Sequence, residues 1–353
     1  MHQAQELCAP TIEVMVGMLS GKVPPEILQK IVFANLGTKD PDILLGPSIG
    51  EDASVIRVGN KVIITATDPI TGSVADVGWL AVHVNANDIA TFGVQPRWFL
   101  VSIILPEKTT PEELGHIMKQ IDDAAQSLGI AVAGGHSEVT KGINRPIIAG
   151  FMIGIAEQGE YVTSSGTRPG DSIILTKSIA LEGTAILATE GKDYLIPKVG
   201  FDVVAKAMAL RAEISVVAEG VAAYKTGFVT AMHDPTEGGL SGGLHEICDA
   251  SNVGFEIYKD AIPIYDITKT ICDALDINPM GLISSGCMII CCNEENTTEV
   301  VNTIQSRGVS ASVIGTIVEN PNHRIMITDS DGLSLRRPTV DALWDALKKI
   351  NLS

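Results

Sequence analysis

The chain has 353 residues, 45% hydrophobic and only 4% aromatic, with 25 Lys and Arg against 42 Asp and Glu for a formal charge of −17. That length allows two domains with substantial cores. The acidic balance and scarce aromatics exclude a nucleic-acid binder built on basic grooves or stacking platforms, and they argue against an anionic membrane surface as partner.

Residues 1–44 read as a helical extension, with helix-like segments at Gln5–Leu19 and Pro24–Asn35. The prolines at the head of the second suit a first helical turn. The Gly-, Pro- and Asp-rich stretch Gly37–Asp52 reads as a long loop. β-like runs Ala53–Val58 and Lys61–Ala66 flank Gly59-Asn60, a hairpin signal. Ala75–Phe92 has the apolar spacing of a helix, and Trp98–Leu105 is a strongly apolar strand. Thr110 followed three residues on by Glu113 gives a capping box for a helix over Pro111–Leu128. Ile130–Ala133 and Pro146–Ile155 read as strands.

A Gly-, Ser- and Thr-rich break at Glu157–Arg168 opens a second alternating section. It begins with strand Asp171–Leu175, helix-like Leu181–Thr189 and Val203–Tyr224, strand Phe228–Ala231 and helix Leu240–Ala250. Strand Val253–Ile257, helix Asp266–Leu275, strand Cys287–Cys291, helix Glu295–Arg307, strand Ser312–Val318 and an amphipathic Val340–Ile350 follow. The pattern predicts an α/β chain of α+β layers, with domains over 45–158 and 159–353. There is no GxGxxG and no Walker loop. No apolar run is long enough to span a bilayer and no basic region opens a secretory signal, so a cytoplasmic protein is expected. The six cysteines form no CxxC pair and read as reduced core residues.

Five polar corners interrupt these apolar segments. They are Glu51-Asp52, Thr67-Asp68, Asn85-Ala86-Asn87-Asp88, Gly134-Gly135-His136-Ser137-Glu138, and Asp234-Pro235-Thr236-Glu237-Gly238-Gly239. Taken singly, each corner reads as a cap or turn. Together, with no Lys or Arg beside them, they point to a cation–phosphate site, since hard cations need several oxygen ligands. The start of the helix after Asp234 offers free N–H groups to an anion, and Gly238 and Gly239 let backbone approach closely. His136 reads as a ligand, donor or base, or equally as a satisfied core histidine. His233 stays open, and His83 reads as structural.

The segments GEDASVI (50–56), TATD (65–68), VNANDIATFGVQP (84–96), AGGHSEV (133–139), PGDSIILT (169–176) and DPTEGGL (234–240) run in the order found in the PurM-like ATP-binding superfamily. The chain resembles that aminoimidazole ribonucleotide synthetase-related family, and within it the branch of the hydrogenase maturation factor HypE, through DPTEGGL, the following HEICDASNVG and the arrangement IPIYDITKTICDALDINPMGLISSG (262–286). The resemblance implies a two-domain fold whose N-terminal domains pair into a shared β-barrel in a homodimer. It implies ATP with Mg2+ as cofactors, with Asp52, Asp68, Asp88 and Asp234 as metal–phosphate ligands. Asn85, Asn87, Gly134, Gly135, Thr236, Gly238 and Gly239 would support the nucleotide, and Asp88, His136 and Asp234 would carry catalysis. The implied chemistry is phosphoryl transfer from ATP to an oxygen of a small molecule or partner protein. The alternative is a non-catalytic nucleotide-binding accessory protein in metallocentre maturation. HypE proteins carry their substrate group on a C-terminal cysteine; here no cysteine follows Cys292, so that self-modification is not expected.

Overall fold

The computed structural model describes residues 21–351 apart from 72 and 330. The segment expected to be helical at Gln5–Leu19, and Cys8, lie outside the described residues.

Two seven-stranded sheets organise the chain. The first comprises β1 (Ile43–Leu45), β2 (Ser54–Val58), β3 (Lys61–Ala66), β4 (Pro69–Ile70), β5 (Pro96–Pro106), β6 (Ala131–Thr140) and β7 (Ile147–Glu157). Its order is β1-β2-β3-β7-β5-β6, with β4 also on β7. Its neighbours are antiparallel except β5 and β6, which run parallel. The second holds β8 (Ser172–Thr176), β9 (Val229–His233), β10 (Gly254–Tyr258), β11 (Ile289–Cys292), β12 (Ala311–Val318), β13 (Arg324–Thr328) and β14 (Asp331–Ser334). Its order is β14-β13-β10-β12-β8-β11-β9, parallel only at β10/β13.

The helix Val77–Ala90 buries every residue except Trp79. It is apolar all round because it is enclosed on all sides. It packs against β7, against the Pro111–Leu128 helix and against the Val217–Tyr224 helix of the second half. The last contact needs Gly220, where a Cβ would come within 2.7 Å of Ala90 O. The expected capping box is formed: Thr110 Oγ1 accepts from Glu113 N, and Glu113 accepts from Thr110 N.

Several expectations change. The helix read over Pro24–Asn35 is a short turn, Pro25–Ile27, continuing as a π-helical turn to Val32. The loop Gly37–Asp52 contains β1. The single helix read over Val203–Tyr224 is two, Phe201–Ala209 and Val217–Tyr224, separated by a 3-10 turn and a loop. β6 runs well beyond Ala133, so Gly134-Gly135-His136 is strand interior and not a corner. The five cysteines among the described residues are free and buried, and burial pushes the Cys248 and Cys272 thiols up to about 12. No helix among the described residues is long and apolar enough to cross a membrane.

Candidate active site

Four of the predicted acidic residues converge where the two halves meet. Asp68 follows β3 and Asp88 lies in the enclosed helix. Asp52 precedes β2, and Asp234 directly follows β9. Burial first, and then Asp68, Asp52 and Asp234, push the Asp88 carboxyl well above its usual range. Burial and Asp52 do the same to Asp234, with the Asn87 amide and His233 pulling the other way. Asp68 rises to about 6, again through burial and its neighbours Asp52 and Glu237, with Lys22 opposing. Both carboxylate oxygens of Asp234 are buried without a properly formed hydrogen bond among the described residues.

Two cations offset part of this charge. His233 is 1% exposed, with Nδ1 3.0 Å from Asp52 Oδ2 and Nε2 3.0 Å from Glu246 Oε2. Burial opposes its charge, but the two carboxylates outweigh that and raise its pKa to about 10. Lys22 donates its backbone N–H to Glu237 Oε2 at 2.7 Å, and its Nζ lies 3.5 Å from Glu246 Oε1. The Lys22 side chain is about half exposed; desolvation by the surrounding chain lowers its pKa, but Glu246, Asp68, Asp52 and Glu237 together raise it. Neither Lys22 nor Glu246 was singled out from sequence. Lys22 lies in the N-terminal extension, where nothing local signals a site, and Glu246 falls in the HEICDASNVG segment of the resemblance, which by itself assigns it no role.

The asparagines expected as nucleotide supports bond mainly to backbone groups. Asn85 donates to Ala81 O and Asp68 O and accepts from Asp68 N at 2.8 Å. It holds the Asp68 backbone. Asn87 donates to Ile214 O and accepts from Val216 N, at 2.9 Å each, clamping the second half to the enclosed helix. Both are fully buried and held by these backbone partners, and the Asn87 amide also faces the Asp234 carboxyl.

The Asp234–Gly239 turn leads into the helix Gly239–Ser251. Gly238 has φ +83°, and its N–H is taken by Asp341 Oδ2 at 2.6 Å, not left open to an anion. Gly239 is required by packing, because a Cβ there would meet Leu282 O at 2.6 Å. Thr236 lines a cleft of about 460 Å³ that also reaches Asp68 and Lys22. Gly134, Gly135 and His136 lie on exposed β6, where His136 pairs with Glu138 at 3.2 Å and no hydrogen bond within the described chain links it to the acidic cluster. Gly135 answers a packing need, since a Cβ would stand 2.1 Å from Val101 O of the neighbouring strand.

No three His, Cys, Asp or Glu side chains among the described residues already converge as a finished metal cage. The residues nonetheless fit a divalent cation shared with phosphate: the acids crowd one another, neither Asp234 oxygen has a well-formed hydrogen bond, and Mg2+ bound to nucleotides takes only a few protein ligands.

The AIR synthase related protein models match residues 50–156 with the N-terminal domain and 168–328 with the C-terminal domain. The chain belongs to this AIR synthase related, PurM-like family. It is 30% identical over 303 residues to a putative hydrogenase expression/formation protein of Methanocaldococcus jannaschii, covering 84% of this chain and 88% of that protein. It is 29% identical to carbamoyl dehydratase HypE of Rhizobium leguminosarum, covering 80% and 81%. Among solved structures, a HypE–HypF complex superposes with a TM-score of 0.73 at 20% identity, covering 88% of this chain and 99% of that one. A hydrogenase maturation protein HypE in complex with ATP gives 0.65 at 20% identity, covering 92% and 97%. The family's fold is therefore this chain's fold.

Proposed function

We propose that this chain is a Mg-ATP-dependent enzyme that activates an oxygen of a small molecule or partner protein by phosphoryl transfer. The observation that carries the reading is Asp234, buried with neither oxygen in a well-formed hydrogen bond, beside the Asn87 amide and in the company of Asp52, Asp68 and Asp88. Such a cluster is costly without a counter-ion. Asp52, Asp68, Asp88 and Asp234 would hold the metal, which supplies charge neutralisation for the transferring phosphate. Asn85 keeps Asp68 in place through its backbone, Asn87 fixes the two halves, and Lys22 adds a positive charge beside the acids. Transfer of this kind rests on positioning and electrostatics more than on a covalent protein group. The ATP-bound relative of the same fold supports the reading.

Gly134, Gly135 and His136 enter this reading only through a second subunit that brings β6 to the site. A homodimer is accordingly part of the proposal, as are a cytoplasmic setting and a division into units over 45–158 and 159–353. Calorimetry with ATP, with and without Mg2+, together with ADP release on addition of candidate substrates, tests it. Equal ATP affinity after chelation would refute the metal assignment. The second reading, an accessory nucleotide-binding protein in hydrogenase-type maturation, is favoured by the relative solved in complex with HypF. Mg-ATP binding without turnover on any substrate or partner would select it.

A further inference from the structure

The cleft beside Asp68 contains polar groups that the metal–phosphate reading leaves unused. Glu182 is 4% exposed and Ser285 fully buried. Glu182 Oε2, the Ser285 hydroxyl and Trp344 Nε1 have no properly formed hydrogen bond among the described residues, and all three residues line this one cleft. A carboxylate oxygen only accepts, an indole N–H only donates, and a hydroxyl does either. Ser285 lies against the Glu182 carboxyl and lowers its pKa without completing the hydrogen bonding of either group, so a carboxylate, a hydroxyl and an indole N–H with spare capacity around one cavity point to a ligand.

The arrangement is built, not incidental. Glu182 sits in the first turn of the helix Leu181–Glu190, whose residues Leu181 to Ala188 are all buried. Gly183 beside it lets the chain at Leu282–Ile283 close onto the helix: a Cβ would stand 2.4 Å from Leu282 Cγ, and Gly183 N donates to Ile283 O at 3.1 Å. Ser284 is used up by Ala180 N and Leu282 O, which leaves Ser285 facing Glu182. Burial raises the Glu182 carboxyl to about 7, with Ser285 pulling it down and Asp341 and Glu237 adding to the rise. Leu80 and Val84 from the first half and Ile186 from the second give the cleft apolar walls. Its charged lining is four acids, Asp68, Glu182, Glu237 and Asp341, against Lys22 and Arg145. That balance disfavours a carboxylate ligand.

We propose that Glu182 and Ser285 recognise the phosphoryl acceptor, and that the acceptor is a small amine-bearing molecule with an apolar body. The amine donates to Glu182, and a neighbouring oxygen meets the Ser285 hydroxyl. This inference rests on the Mg-ATP reading for the acceptor role, because the cleft opens onto Asp68. Ser285 lies in the segment Ile262–Gly286 that carries part of the family resemblance, but no motif assigns it or Glu182 a role. The one local signal for Glu182 is an acid in the mostly apolar stretch Ile179–Ala188.

The test uses the full chain and simple probes. Saturation-transfer NMR and calorimetry compare isobutylamine with isobutyrate at equal concentration, before and after saturation with Mg–AMP-PNP. Isobutylamine binding, with isobutyrate at least tenfold weaker and the amine retained beside the nucleotide, is expected. Glu182→Gln should weaken the amine at least tenfold, while Mg–AMP-PNP binds that variant as it binds the parent, which also reports an intact fold. Equal binding of isobutyrate, an unchanged Glu182→Gln, or displacement of the amine by Mg–AMP-PNP would each overturn the proposal. Failure of Mg–AMP-PNP to bind the parent would instead defeat the nucleotide reading, and with it the acceptor role, even where isobutylamine binds.

Discussion

His233 bridges Asp52 and Glu246, 3.0 Å from each, and so ties the loop between β1 and β2 to the helix after β9. The imidazole is almost wholly buried, and its charge is what makes the two carboxylates tolerable there. Removing one partner of a buried ionic cluster costs roughly 3–5 kcal/mol, because the remaining charges are left uncompensated. His233→Ala is expected to lose stability on that scale in urea titrations and to loosen Asp52. Unchanged stability would show that the cluster is hydrated and the bridge is incidental.

The same groups set a pH dependence. Asp68 and Glu182 have folded pKa values of about 6 and about 7, above the ordinary carboxylate range, and His233 sits at about 10. In all three the folded state holds more protons than the unfolded one between the two pKa values, so stability falls as pH rises through that window. For the carboxylates the window runs from the ordinary carboxylate range to about pH 6–7, and for His233 from about 6.5 to about 10. The ligand-free protein should therefore melt higher at pH 6 than at pH 8. Mg2+ with ATP should raise the melting temperature more at pH 8, where the acids are ionised. The opposite order in scanning calorimetry would contradict the placement of these groups.

Asp234→Asn separates stability from function. It removes a buried ionisable carboxyl crowded by Asp52, so the ligand-free variant should melt above the parent. Mg-ATP binding should weaken by about 1–3 kcal/mol, the scale for losing a charged partner. Asp88→Asn should behave in the same direction. A variant that is both less stable and fully competent in binding would support the plain cap-and-turn reading of these acids.

Asn85 and Asn87 show why the site was only partly legible. Polar residues in an apolar helical stretch were visible in the sequence, and so was their placement near Asp68 and Asp88. What they bond to was not, because Ile214 and Val216 are more than a hundred residues away and the break in the Val203–Tyr224 run has no proline to announce it. Local signals served well where they were self-contained. The Thr110–Glu113 box and the hairpin around Gly59-Asn60 formed as read. The Gly134-Gly135 pair misled because glycine marks both turns and close strand approach, and here Val101 O decides for the strand. Asn87→Ala should cost about 1–3 kcal/mol by orphaning Ile214 O and Val216 N, measured by urea unfolding. A neutral result would mean that the two halves are held together elsewhere.

The last prediction concerns β6. All but its final residue are exposed, with Val132 42% and Val139 61% accessible, and it lies at the end of its sheet with β5 on one side only. A long edge strand with apolar side chains invites pairing. A second copy of the same strand would cover it and bring the partner's Gly134-Gly135-His136 segment into play, an isologous contact of the commonest symmetric kind. Light scattering at micromolar concentration should give twice the 37.3 kDa chain mass. Val139→Lys should shift the mass toward one chain and weaken Mg-ATP binding together, because the nucleotide site would lose what the second subunit supplies. A monomeric variant that binds Mg-ATP as tightly as the parent would remove β6, and with it Gly134, Gly135 and His136, from the site.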